Sequence, residues 1–446
     1  MSLQSPPRPP TTSTRSTPRH VAPPSRAAIT VRSVVLLSLA VVSVLWIHRR
    51  AGATTIFFGV YGSGAVSYLV TKLALAAAYR PAYNPAPNLS VAAVVPAYNE
   101  DPAAMRACIQ SLLSQTHPFA EIWVVDDGSE HRGAYHVARE LLAGLRGCHV
   151  IRLRSNLGKR KAQGLPFMRT HADVIMTIDS DTVLHPHCVQ EALKPFRSRK
   201  VQAVCCVARA LNPNTNLLTR LVDLRYSNAF LFERAAYSVL DSMLCATGVA
   251  TLYRAAVVKD NLDDYMTQRF LGLEVSYGDD RRLTNYALAR GRVVLQDTAI
   301  ASTLAPTKFK HFVRQQIRWN KSFFRETLYA IRHLPKRRPV WWLGCAELSL
   351  WLGFSTAMLV TLVLRPLLTG QVVGLYYVGY LMMMAYARSA RHAARGGFAF
   401  ALAPLYGLMH ILVLTPVRMY ALATLRDGSW GTRQSGPEVR LDPEAA

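Results

Sequence analysis

Asp179-Ser180-Asp181 ends the apolar, β-branched run Val174 to Ile178, which reads as a strand. Alternate side chains of an extended segment point the same way, so Asp179 and Asp181 can face one divalent ion that also holds a diphosphate. Hard oxygen ligands of this kind suit Mg2+ or Mn2+. An isolated pair of turn acids would carry no such meaning, so the reading depends on other groups. Gly278-Asp279-Asp280-Arg281 supplies one of them, because Asp280 is a carboxylate able to take the proton of an attacking hydroxyl. Across one helix-sized gap, Gln315, Arg318 and Trp319 fall within just over one helical turn. An amide, a guanidinium and an indole can therefore converge on one site. Each motif also has a plain structural reading. Asp279 and Asp280 would equally cap a helix from Arg281 to Leu288, and Gln315 to Trp319 would equally belong to a basic helix on anionic lipid.

The elements that must hold these groups lie between residues 91 and 305. Short β-rich runs at Val91 to Val95, Ile122 to Val125, Val150 to Leu153, Val174 to Ile178 and Ala203 to Val207 alternate there with helical stretches. That alternation predicts an α/β domain with a mostly parallel sheet, which binds ligands beyond the carboxyl ends of its strands. Two more runs end in polar clusters, Pro96 to Glu100 with Tyr98, and Asp126-Asp127-Gly128-Ser129. One nucleotide site could collect Tyr98, the DxD acids and Asp126 or Asp127, the remaining acid serving as a helix cap. Asn156 to Lys161 adds backbone amides and the cations Lys159, Arg160 and Lys161, which suit phosphate or form an ordinary exposed turn.

At 446 residues the chain can hold such a domain and a membrane part as well. Half of it is hydrophobic, and 52 basic residues outnumber 27 acidic ones. Residues 1–32 form a basic tail rich in Pro, Ser and Thr that is expected to be disordered. Residues 33–80 read as a transmembrane hairpin, Ser33 to Ile47 and Ala51 to Leu75. The arginines of the tail, with Lys72 and Arg80, orient the hairpin so that everything after Arg80 is cytosolic. Residues 306–338 read as an interfacial helix and 339–387 as two transmembrane helices. In 398–423, Pro404, His410, Pro416 and Arg418 interrupt the apolar run, which suggests an interfacial or re-entrant segment before a tail at 424–446. Because the cations cluster at membrane flanks and beside the expected diphosphate, anionic lipid is the expected macromolecular partner, and nucleic acid is not. The seven cysteines are odd in number and lack CxxC spacing, which speaks against a disulfide framework or a zinc ribbon.

Taken together, these motifs resemble the processive family 2 glycosyltransferases of GT-A fold, and among them the streptococcal-type class I hyaluronan synthases. The likeness runs from about Val91 to Arg433 and includes Asn216 to Leu221, Asn228 to Ala236, Gly278 to Asn285, Gln315 to Glu326 and Trp430 to Arg433. It implies a membrane enzyme with a cytosolic catalytic domain that polymerises UDP-GlcNAc and UDP-GlcA onto a growing polysaccharide and extrudes it. It further implies that Tyr98 with Asp126 and Asp127 holds uridine, Lys159 or Lys161 reaches the diphosphate, and Asp181 leads metal binding. Asp280 becomes the base, Gln315, Arg318 and Trp319 line acceptor and diphosphate, and Trp430 to Arg433 form a gating loop. A cytosolic Trp430 requires an even number of crossings after Trp319. Thr247-Gly248-Val249 departs from the family's usual turn, with Cys245 one place early, which leaves a chitooligosaccharide-type synthase using UDP-GlcNAc alone as the alternative. The non-enzymatic alternative is a basic membrane protein that binds anionic lipid or nucleic acid.

Overall fold

In the computed structural model, residues 56–370, 398–428 and 439–441 are described, together with single positions between 378 and 389. The basic tail, the first apolar run, Trp430 and Arg433 lie outside the described residues.

The strands are β1 (Val91–Ala97), β2 (Glu121–Asp126), β3 (Cys148–Arg152), β4 (Val174–Ile178), β5 (Thr182–Leu184), β6 (Val201–Ala210), β7 (Ala250–Arg254), β8 (Arg269–Phe270), β9 (Leu273–Glu274) and β10 (Arg292–Thr303). All but the small β8–β9 ribbon form an eight-stranded sheet in the order β3-β2-β1-β4-β7-β6-β10-β5. The β3-β2-β1-β4 half is parallel, as is the β6–β10 pair, while β7 runs antiparallel to both neighbours. Every residue of β1 is buried, the pattern of a strand covered on both faces. Its side chains divide by the two-residue period: Val91, Ala93 and Val95 enter one apolar cluster, Ala92 and Val94 the other. The second of these clusters also contains Leu69, Leu73 and Ala76 of the helix Ile56–Ala78 and Phe312 of the helix Phe309–His333. One face of the catalytic sheet is thus continuous with the core of the helical region.

Two helices among the described residues are long and apolar enough to cross a membrane, Pro339–Thr369 with 31 residues and Phe400–Ala423 with 24. The segment expected to be interrupted is therefore one continuous helix. Its prolines do not break it: Pro404 opens the stretch Ala403–Met409 after the 3-10 turn Phe398–Leu402, and Pro416 opens the stretch Thr415–Ala423, where widened bonding before it accommodates the N–H that proline lacks. A π-turn, His410–Leu414, joins those stretches, and another, Val360–Leu364, precedes Pro366 in the other helix. Of the two spans expected in 339–387, the first matches Pro339–Thr369, and most of the second lies outside the described residues.

Candidate active site

Asp179, Ser180 and Asp181 follow β4 and line a cavity of about 1270 Å³. The Ser180 hydroxyl donates to Glu100 Oε2 at 2.5 Å, which fixes the turn against the end of β1. Thr303, the last residue of β10, donates to Asp181 Oδ1 at 3.1 Å. Asp179 Oδ1 accepts from the Lys159 ammonium at 2.7 Å, and the same ammonium lies 3.1 Å from Asp279. Burial alone would lower the Lys159 pKa, but the carboxylates of Asp179 and Asp279 outweigh it and hold the amine charged. Gly248 presses on this cluster: a Cβ there would stand 3.1 Å from Lys159 Nζ.

The two acids at the end of β2, Asp126 as its last residue and Asp127 just beyond, separate cleanly. Asp126 accepts from Ser129 and from Arg152 Nε at 3.0 Å and is absent from the cavity wall, so its role is to brace the loop. Asp127 lines the cavity and accepts the backbone N–H groups of Leu157 and Gly158 at 2.8 and 2.9 Å. Burial pushes its pKa up to about 6, against the downward pull of those two donors. Tyr98 lines the cavity beside it. Lys161 is exposed and stands outside the cavity, so of the two lysines only Lys159 is in place to meet a ligand there.

Asp279 and Asp280 open the helix Asp279–Arg290, but its cap is Gly278, at φ 88. The Asp280 carboxylate accepts one first-turn N–H, that of Arg281, so a structural role at the helix start stands beside any chemical one. Burial favours protonation of both acids, yet Lys159 and Arg160 hold Asp279 below its ordinary value. Asp280 is raised, by burial first and by the charge of Asp279 second. Its Oδ1 accepts the Arg281 N–H at 2.8 Å, and its Oδ2 lies 3.6 Å from the Cys245 thiol. A carboxylate so placed is a stronger base than a solvated one.

Gln315, Arg318 and Trp319 all line the same cavity. Their helix is fixed to Asp279–Arg290 by a buried network: Glu326 accepts from Arg282 Nε at 2.9 Å, Gln268 at 2.6 Å and Asn285 at 3.2 Å. Ser322 Oγ would stand 2.6 Å from a Cβ on Gly278, so the two helices meet at the turn that precedes Asp279 and Asp280. Gly278→Ala should therefore cost about 1–2 kcal/mol in backbone strain and displace Asp280. The expected loss in activity is on the order of a hundredfold, read from initial velocities at saturating substrate. A near-normal rate would mean that the turn tolerates movement.

On the opposite side, Lys321 Nζ pairs with Asp427 at 3.1 Å, and the Ser276 hydroxyl donates to Gly428 O at 2.6 Å. Gly428 and Val439, the described residues on either side of Trp430 and Arg433, both line the cavity. The cavity continues past Trp319 to Tyr68, Lys72 and Glu347 in the helical region. Three further residues line it: Arg225, which falls between the stretches of resemblance Asn216 to Leu221 and Asn228 to Ala236 and carried no signal, Cys245, noted only for its place in the turn, and Arg418, read only as an interruption of an apolar run.

The description "Glycosyl transferase family 2" matches residues 92–262. A hyaluronan synthase of Streptococcus pyogenes serotype M3 is 38% identical over 413 residues, 90% of this chain and 97% of the relative. An N-acetylglucosaminyltransferase of Mesorhizobium japonicum is 32% identical over 391 residues, 85% of this chain and 90% of the relative. A solved mannosyltransferase from Pyrobaculum calidifontis, in complex with GDP-Man and Mn2+, has the same fold at a TM-score of 0.57 and 15% identity, covering 84% of this chain and 99% of that one. The GT-A architecture and the glycosyltransferase reading are thereby settled, and the binding-only alternative falls away. The chain belongs to glycosyltransferase family 2, with streptococcal hyaluronan synthases as relatives along 90% of its length.

Proposed function

We propose that the protein polymerises UDP-GlcNAc and UDP-GlcA into hyaluronan by inverting transfer and passes the product through its own helices. One observation carries this reading: a single cavity runs from Asp127, Asp179 and Asp280 past Trp319 to Tyr68 and Glu347 among the helices. An enzyme that releases short products has no need of such a passage. The kinship with streptococcal hyaluronan synthases at 38% identity supports the choice of sugars.

In the mechanism that follows, Tyr98 and Asp127 hold uridine, while Lys159 and Arg318 face the diphosphate. Asp179 and Asp181 fit a hard divalent ion, for they offer carboxylate oxygens only and leave the remaining positions to diphosphate and water. Bound Mg2+ or Mn2+ would stabilise the departing UDP. Asp280 takes the proton of the acceptor hydroxyl as its oxygen attacks the anomeric carbon. Gln315 orients the acceptor, whose apolar face rests on Trp319. Trp430 and Arg433 are assigned to nucleotide gating on the family resemblance.

The catalytic domain is placed in the cytosol of a multi-pass membrane protein, with anionic lipid beneath the basic flanks. Pro339–Thr369 and Phe400–Ala423 are the described helices long and apolar enough to cross, and a cytosolic Trp430 requires the crossings after Trp319 to be even in number. The test is sugar omission in isolated membranes. Polymer should require both donors and a divalent ion and be digested by hyaluronidase. Polymer from UDP-GlcNAc alone, digested by chitinase, would reject the hyaluronan reading.

A further inference from the structure

Beyond the catalytic turn the cavity wall becomes cationic in an unusual way. Gln316, Trp319, Asn320 and Phe323 stand at i, i+3, i+4 and i+7 of the helix Phe309–His333, and all of them line the cavity as one stripe. Arginines from three other elements lie over that stripe. Arg225, on the helix Leu217–Asn228, holds its guanidinium 5.0 Å from the Trp319 ring centre and donates to Gln316 Oε1. Arg281, next to the base, lies 5.4 Å from the Phe323 ring. Arg418 lies 5.7 Å from Phe323 and 5.9 Å from Trp351, and its Nε donates to Asn320 Oδ1 at 2.6 Å.

These partners are amides and aromatic rings, and among the described residues none of the three arginines forms a side-chain ion pair, although Arg281 is next to the Asp280 carboxylate and its charge acts on it. The acids nearby are already engaged. Glu347 pairs with Lys72 at 2.7 Å, Glu233 with Arg388, and Asp279 with Lys159 at 3.1 Å. Partly buried cations against neutral groups lose hydration that only an anion can restore in full. A guanidinium fork suits a carboxylate in particular, since two parallel N–H donors match its two oxygens. The position matters as much as the charge: the stripe runs from Gln316 and Trp319 to Phe323, where Arg418 reaches over to Trp351 in the helix Pro339–Leu359.

We propose that Arg225, Arg281 and Arg418 form a carboxylate-recognition site in the acceptor path, which binds the uronate group of the growing polymer as it leaves Trp319. The proposal rests on the hyaluronan reading, because a chain of GlcNAc alone has no carboxylate to bind. In a polymer with a uronate at every second sugar, each completed repeat brings one carboxylate to the arginines. The site thus favours retention of the acidic chain between additions and rejects a neutral one.

The test compares two probes on the full-length protein in detergent with UDP bound: a hyaluronan tetrasaccharide, and the same tetrasaccharide with its carboxyl groups reduced to alcohols. The acidic probe should bind roughly tenfold more tightly, a difference of about 1.4 kcal/mol. Arg225→Gln and Arg418→Gln should each erode that preference by weakening the acidic probe alone, and Arg418→Lys should retain part of it. Equal affinity of the two probes for the unaltered protein would overturn the proposal without need of any variant. So would a preference that survives in the double variant. Sugar omission separates this failure from that of the parent reading: a protein that needs both donors yet ignores the carboxylate keeps the function and loses the site.

Discussion

Asp280→Asn should abolish polymer formation, with transfer falling roughly a hundred- to ten-thousandfold, while UDP still binds and the protein still enters the membrane. The reasoning starts from the environment of the side chain. Asp280 lies in the first turn of its helix, so the amide removes a charge and a proton acceptor while its carbonyl oxygen still accepts the Arg281 N–H, a bond of 2.8 Å with the carboxylate. The groups assigned to donor binding are elsewhere in the cavity: Asp127 holds the Leu157 and Gly158 amides, and Lys159 bridges Asp179 and Asp279. A loss confined to the chemical step is the signature of a base. The pH profile gives the same information. Burial and the neighbouring Asp279 raise the Asp280 pKa, so the carboxylate keeps its proton at higher pH than a solvated aspartate does. Activity should fall on the acid side as pH drops through that raised value, and rates should be fullest above it. Polymerisation at the ordinary rate by the variant would remove Asp280 from the mechanism.

Much of this site was legible because its chemistry is local. Asp179-Ser180-Asp181 and Asp126-Asp127 follow apolar runs that became β4 and β2, and the carboxyl ends of parallel strands gather ligands whatever the rest of the chain does. The assignment between Asp126 and Asp127 needed three dimensions, for only packing shows that Arg152 and Ser129 engage the first. Lys159 and Lys161 could not be told apart for a similar reason, since their side chains leave the same helix in different directions. Arg418 was read as an interruption of an apolar run. Its partner Asn320 is distant in sequence, and no local pattern announces such a contact. β10 was missed as well, because Gln296 and Asp297 break its apolar alternation and a register shift lies between Gln296 and Ile300. The π-turns before Pro366 and Pro416 have no sequence signature either, and they are what lets those helices continue.

Glu326→Ala should destabilise the protein by about 3–5 kcal/mol, the largest effect on stability expected from a residue outside the cavity wall. Glu326 is 3% exposed and accepts from Arg282, Gln268 and Asn285, which come from the loop before β8 and from the catalytic helix. Removing it leaves the Arg282 guanidinium buried at 5% exposure with Asp264 as its ion-pair partner at 3.1 Å, and that acid is largely solvated. Gln268 and Asn285 lose an acceptor in the same step, and each buried donor left unmade adds to the cost. The measurement is the thermal midpoint of the purified protein in detergent, followed alongside transfer rate at low temperature. Both should fall, because the network that stabilises the helix Asp279–Arg290 also fixes it to the helix that carries Gln315 and Trp319. Replacing the pair together, Arg282→Met with Glu326→Leu, should recover much of the midpoint, since no charge is then left buried. If the single variant melted like the unaltered protein, the network would be incidental, and the alignment of base and acceptor helix would have to come from the Gly278–Ser322 contact alone.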